Sequence, residues 1–362
     1  MKRVLFVLPA GEPSWAMNQA RLLLPHLLAA GYEVHACTLG ARAKLCFGDQ
    51  VPYTPIAGRG PLDPVAWLAL RRHIHRLAPQ LVHAWLPTHE PRWRLLPLTA
   101  RRVPWLISQS GLKKGDGGCF QKRLPYLFCG TVRETVSHPG AYALALAGGL
   151  PEMKVQLLAS GVATATEPAQ PRAEWLETCG LPPDARVVGA VGRLQNGGRW
   201  KDLIWATDML KFIRDDVHLL ICGTGPQRQR LERFRKLVRI EDKVHFLAAR
   251  DDLADWLPHL DVFWSGRDDN GQPLALLMAM AAGVPAIASR LAGAEQVIEH
   301  GQNGFLVPVG DRAGIARLTR KLLDGPADAR ALGQRGQQHV AACFSVQRMA
   351  DAFLRLYGAL VA

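Results

Sequence analysis

Residues 189–206, GAVGRLQNGGRWKDLIWA, pass from a buried strand through Gly192-Arg193 and a polar loop into a helix. A strand that ends in glycine lets an anion come close to the backbone. An arginine beside it can grip a diphosphate through its planar fork. Taken alone, an arginine after a strand is more often plain surface, so the neighbourhood must decide.

Outward from this stretch, short apolar runs alternate with helical patterns in both directions, the mark of parallel sheets flanked by helices. On the C-terminal side strands are expected at Val187–Val191, Val217–Cys222, Lys243–Leu247, Val262–Ser265, Pro285–Ala288 and Phe305–Val307. Helices include Lys201–Ile213, Gln227–Val238, Leu274–Ala281, Arg312–Leu323 and Ser345–Leu360. On the N-terminal side strands are expected at Val4–Leu8, Glu33–Thr38, Leu81–Ala84, Trp105–Ser108, Gly130–Val136 and Val155–Ala159. Helices lie near Ala16–Ala30, Pro64–Leu77, Pro87–Arg101, Gln121–Phe128 and Gly140–Ala147, with Pro25 expected to kink the first. Between the two series, Gly161–Arg172 is poor in large apolar residues and holds Pro168 and Pro171, so it reads as a linker. The fold class is therefore α/β, two Rossmann-like doubly wound domains. The expected division is 1–163 and 164–344, with 345–362 returning to the first. Two such domains place a cleft where the carboxyl ends of their sheets face each other.

The 362 residues suffice for two cores, and 48% hydrophobic with 21% charged content is ordinary for a soluble globular chain. Charge is uneven: residues 1–163 hold 19 Lys/Arg against 8 Asp/Glu, and the remainder 25 against 23, so the formal +13 sits almost wholly in the first half. Such a field draws anionic partners, a membrane surface among them, or is simply a basic surface. Seven widely spaced cysteines with no C-x-x-C pair favour reduced thiols in a cytoplasmic protein over disulfides or a zinc site. The opening Met1-Lys2-Arg3 and Val4–Ala10 imitate a secretory signal but read better as a first buried strand. No stretch nears twenty apolar residues.

A second chemical stretch is Ser265–Pro285, SGRDDNGQPLALLMAMAAGVP. Gln272-Pro273-Leu274-Ala275 opens a helix whose free N–H groups favour a phosphate. Gly223-Thr224-Gly225-Pro226 follows one strand and Phe246–Arg250 another; Gly293-Ala294-Glu295 and Gly301–Val307 come later. Near the start, Ala10-Gly11-Glu12 follows the first strand, and Leu81-Val82-His83-Ala84-Trp85 forms another. His83 is either a satisfied strand histidine or a catalytic one.

Together these stretches resemble, across the whole chain, the retaining group 1 (family four) glycosyltransferases of the GT-B type. Gly192, Arg193 and Leu194 match the G-R-L-x-x-x-K-G element, whose lysine would fall at Gly198; Arg199 and Lys201 are near enough to substitute. Gly271, Pro273, Ala279, Met280, Ala281, Gly283 and Pro285 match E-G-x-P-x-x-x-x-E-A-M-A-x-G-x-P, with Asn270 and Met278 at its glutamates. In the family those carboxylates hold the transferred sugar and the ribose. The resemblance implies a donor site of Gly11, Gly192, Arg193, Arg199, Lys201, Gly223, Arg250, Asn270, Gly271, Leu274, Ala275 and Met278. It implies catalytic roles for Arg193 and His83. The family's acceptor-side histidine would fall near Ser108–Ser110, where there is none.

The implied activity is transfer of a sugar from a nucleoside diphosphate sugar to a lipid- or glycan-linked acceptor, with no cofactor and no metal. The alternative, pointed to by Gly198, Asn270 and Met278, is an inactive relative serving as a binding or scaffold subunit. A basic, aromatic surface of Trp67, Arg71, Arg72, Arg76, Arg92, Trp93, Arg94, Arg101, Arg102, Lys113, Lys114, Lys122 and Arg123 suits docking on the inner face of an anionic membrane, or is a set of solvated helix faces. No nucleic-acid signature accompanies the charge.

Overall fold

The computed structural model describes residues 2–9, 15–40, 47, 51–58, 63–86, 91–109, 126, 128–129, 131–164, 168–250, 252–268 and 273–361. The chain divides into two units: Met1–Gly161 with Val346–Ala362, and Val162–Asp269 with Pro273–Ser345.

Unit 1 carries β1 (Lys2–Pro9), α1 (Trp15–Ala29), β2 (Tyr32–Leu39), β3 (Tyr53–Ile56), α2 (Pro64–Leu77), β4 (Leu81–Leu86), β5 (Trp105–Gln109), β6 (Val132–Val136), α3 (Pro139–Ala147) and β7 (Val155–Leu157). Among the described residues its seven strands are all parallel, in the order β3-β2-β1-β4-β5-β6-β7. β1 is apolar and buried from Val4 to Leu8 and β4 is buried along its whole length, His83 included, because a sheet covered on both faces gives neither face to water. Asp63 caps α2 through its side chain and Pro64 opens the helix. Pro91–Thr99 forms a 3-10 helix instead of the expected α-helix; prolines at 91 and 97 withhold the N–H groups that α-helical bonding needs. α1 runs on through Pro25. The helix expected at Gln121–Phe128 lies almost wholly outside the described residues.

Unit 2 carries α4 (Arg172–Thr178), β8 (Arg186–Val191), α5 (Trp200–Lys211), β9 (Val217–Cys222), α6 (Arg228–Val238), β10 (Val244–Leu247), α7 (Leu253–Trp256), β11 (Val262–Ser265), α8 (Leu274–Ala281), β12 (Ala286–Ser289), α9 (Ala292–Glu295), β13 (Phe305–Val307), α10 (Arg312–Asp324) and α11 (Pro326–Cys343). Its sheet is again all parallel, β10-β9-β8-β11-β12-β13. The last helix, α12 (Val346–Val361), belongs to unit 1, where Met349, Phe353 and Tyr357 join Leu23, Leu27 and Phe6 in one core. Both sheets have the doubly wound order, reversing at β1/β4 and at β8/β11.

Candidate functional site

Where a doubly wound sheet reverses, the loops leaving two neighbouring strands part and open a crevice at their carboxyl ends. In unit 2 that point is the β8/β11 pair, joined at Val188–Val262 and Gly189–Phe263. A hollow of about 80 Å3 lies there. Gly192, Arg193, Gln195, Gly198 and Trp200 line it from the β8 side, and Ser265, Gly266 and Arg267 from the β11 side.

The loop after β8 is held by the loop after β9. Gly192 N–H donates to Cys222 O (3.0 Å), Leu194 N–H to Thr224 O (2.8 Å), and Gln227 N–H to Leu194 O (2.9 Å). Gly223 and Gly225 permit this approach. A Cβ at 223 would lie 1.9 Å from Gly192 O, and one at 225 would lie 2.4 Å from Leu194 O, with φ of 156° and 152°. Gly223 thus shapes the site from behind. Arg228 closes the same region, donating to Gly223 O (3.3 Å), Leu247 O (2.9 Å) and Phe246 O (3.1 Å).

Arg193 is exposed at the rim; its carbonyl accepts from Gln195 N–H (2.9 Å), but its guanidinium has no hydrogen-bond or ion-pair partner among the described residues. The two proposed substitute charges are committed elsewhere. Arg199 donates to Asp202 at 2.6 Å and lies 3.8 Å from Asp268, while Asp202 also binds Arg312 at 2.6 Å. Lys201 Nζ sits 4.8 Å from the centre of the Phe234 ring. Neither lines the hollow. Arg250 is paired with Asp252 at 2.5 Å and also stands apart from it.

At the vacated lysine position the structure has an indole. A Cβ on Gly198 would meet Trp200 Nε1 at 2.0 Å, and one on Gly192 would meet the far edge of the same ring at 3.4 Å. Trp200 therefore spans the loop from 198 to 192. It is 5% exposed, and its Nε1 is buried with no partner among the described residues. Arg199, the residue between, takes a left-handed φ of 51°, where the family motif has glycine.

Leu274, Ala275 and Met278 share the partly exposed face of α8, while Leu276, Leu277, Ala279 and Met280 are buried. Gly11, Asn270 and Gly271 lie outside the described residues.

In unit 1 the catalytic expectation for His83 is corrected. His83 is 0% exposed, with Nδ1 at 2.5 Å from the Tyr357 hydroxyl and Nε2 at 2.7 Å from Ser108 Oγ. It stacks on Trp85 with ring centres 4.1 Å apart. Burial pushes its pKa well below the ordinary histidine value. Both nitrogens are used and no water reaches them, so His83 is a core residue tying β4 to α12. The surface expectation for Arg94 is corrected as well. It is 2% exposed and donates to the fully buried Glu134 at 2.6 Å; Glu134 also accepts from Gln109 (2.7 Å) and Tyr126 (2.7 Å). Arg71, Arg72, Arg76, Arg101 and Arg102 are exposed. No helix among the described residues is long and apolar enough to cross a membrane.

With this geometry, residues 185–325 match the model of the family described as glycosyl transferases group 1. The chain is 30% identical over 179 residues to N-acetyl-alpha-D-glucosaminyl L-malate synthase of Bacillus anthracis, covering 49% of this chain and 46% of the relative. It is 28% identical over 175 residues to the lipopolysaccharide core biosynthesis glycosyltransferase LpsE of Rhizobium meliloti, covering 48% and 50%. The chain thus spans about half the length of these two relatives. EpsD of Bacillus subtilis, which bears a glycosyltransferase name, is 26% identical over 349 residues, 91% of this chain and 90% of its own. Among solved structures, Anabaena HepE in complex with UDP and glucose superposes with a TM-score of 0.85 at 15% identity, covering 99% and 100%. Sucrose-phosphate synthase from Thermosynechococcus elongatus gives 0.83 at 20%, covering 99% and 99%. The second unit thus matches the group 1 glycosyl transferase model over residues 185–325, and the chain shares the GT-B fold of these solved structures.

Proposed function

We propose that the chain transfers a sugar from a nucleoside diphosphate donor to a hydroxyl of a lipid- or glycan-linked acceptor, with retention of anomeric configuration. The observation that carries this reading is Arg193, an uncommitted guanidinium at the rim of a hollow at the sheet's reversal point. The glycosidic carbon–oxygen bond to the diphosphate breaks, and a new one forms to the acceptor oxygen, whose proton passes to the departing phosphate oxygen. The diphosphate leaves with the bonding electron pair, and that developing negative charge is what Arg193 stabilises. The backbone of Gly192, open on one side, lets the phosphates come near. Catalysis in this reading is positional and electrostatic, needing no nucleophile from the chain. Retention and the acceptor class rest on the motif resemblance.

Calorimetric titration of wild type and Arg193→Ala with UDP, ADP and GDP tests the reading. Wild type should bind at least one. The variant should bind it about ten- to a hundredfold more weakly, the worth of a charge-assisted bidentate contact. Equal affinities, or no binding, overturn it. Binding without release of nucleoside diphosphate from any of a panel of nucleotide sugars would instead support an inactive, ligand-holding relative.

A further inference from the structure

The hollow in unit 2 holds two facts that the motif comparison alone does not join. The place of the motif's lysine is filled by the Trp200 indole, as the 2.0 Å approach of a Gly198 Cβ to Nε1 shows. A neutral ring there removes one positive charge from a site meant for a diphosphate. Meanwhile a second arginine, Arg267, lines the same hollow from the loop after β11, opposite Arg193 on the loop after β8. Arg199 and Lys201, though near the loop, do not line the hollow. Arg267 and Arg193 are the two among the described residues that line it.

We propose that Arg267 supplies the second positive charge of the donor subsite, in exchange for the lysine whose volume Trp200 now occupies. This rests on the nucleoside diphosphate reading above. Strand adjacency makes the exchange possible, because β8 and β11 are neighbours and their loops face one hollow. Two guanidiniums converging from separate loops would hold the diphosphate from both sides, each with a planar fork. The buried Nε1–H of Trp200, which has no partner among the described residues, offers one more donor beside Gly198.

The test is UDP affinity by calorimetry at two salt concentrations for wild type, Arg267→Gln, Arg267→Lys and Arg230→Gln. Arg230 is an exposed residue of α6 outside the hollow and serves as the control. Arg267→Gln should weaken binding roughly ten- to a hundredfold and flatten its salt dependence. Arg267→Lys should recover part of the loss, which a purely structural role would not produce, and the control should match wild type. Should the glutamine variant melt early, Arg267→Met, which keeps an unbranched stem, carries the same test. If wild type binds UDP and the Arg267 variants bind within twofold of it, the proposal is wrong and the function reading stands. If wild type binds none of UDP, ADP or GDP, both fall together.

Discussion

Position 198 has a physical reason to be glycine. Any Cβ there would run into the edge of the Trp200 ring, which is packed among Val188, Leu203 and Trp264 in the core of unit 2. Gly198→Ala should therefore destabilise the protein by about 1–3 kcal/mol, the usual result of overpacking, as read from urea unfolding. Gly198→Lys on its own should lose at least as much stability and gain no donor affinity, because the side chain cannot enter while the indole is there. If the lysine variant folds as well as wild type and binds UDP more tightly, the indole is not the obstacle. Arg193 was legible in the sequence because a cation directly after a glycine-ended strand has a recognisable chemistry. Trp200 and Arg267 were not. An aromatic at the start of an amphipathic helix reads as core, and only the pairing of β8 with β11 brings residues 198 and 267 to one hollow.

The elements most visible in the sequence are those whose burial is made by large side chains. Apart from β3, an edge strand of four residues that was not expected, the strands of both sheets and the helices at 200–211, 228–238 and 312–324 fall within a few residues of expectation. α11 escaped because its buried face consists of Ala329, Leu332, Gly333, Gly336 and Val340. Helical spacing is present, but small residues carry little hydrophobic signal. They are small for cause: a Cβ on Gly333 would stand 2.0 Å from Gly283 O, where α11 crosses the turn after α8. The 3-10 helix at Pro91–Thr99 was misread for the opposite reason, an apolar pattern without enough N–H donors. α12 was expected to return to the first domain, but its polar tie was not foreseen. The Tyr357 hydroxyl meets His83 Nδ1 in a dry core, so Tyr357→Phe leaves a buried ring nitrogen unsatisfied. That variant should lose about 1–3 kcal/mol in chemical denaturation, with donor affinity unchanged because unit 2 is untouched.

At the scale of the molecule, each unit has a core of its own, and unit 2 carries a pH-sensitive seam. His218 Nδ1 and His245 Nε2 lie 3.2 Å apart on the neighbouring strands β9 and β10. Burial, then the nearby His218, pushes the His245 pKa down to about 4; burial, then Lys243, lowers that of His218. Lys243, Asp242 and Asp184 are the charged groups that act on His218, and Arg235 and Asp242 those that act on His245. The fold holds both rings neutral, whereas the unfolded chain takes up protons near the ordinary histidine pKa. Their contribution to stability is thus complete above about pH 6.5 and is lost as pH falls toward 4. The loss should be on the order of 2 kcal/mol, allowing for water at the part-exposed ring. Urea midpoints at pH 7 and pH 4.5 measure it, and His245→Gln should remove most of the His-dependent slope. An unchanged slope would place the pH sensitivity in the carboxylates.

The return of α12 also sets a timetable for synthesis. β1, β4 and α1 leave the ribosome early, but the helix that covers Phe6, Leu23, Leu27 and His83 emerges only after all of residues 162–345. At about 5–20 residues per second, that delay is roughly 10–40 s. Through it the N-terminal sheet shows an uncovered apolar face, while unit 2, which lies within residues 162–345, can finish first. The newborn chain should therefore mature back to front, and it is the N-terminal half that should depend on chaperones.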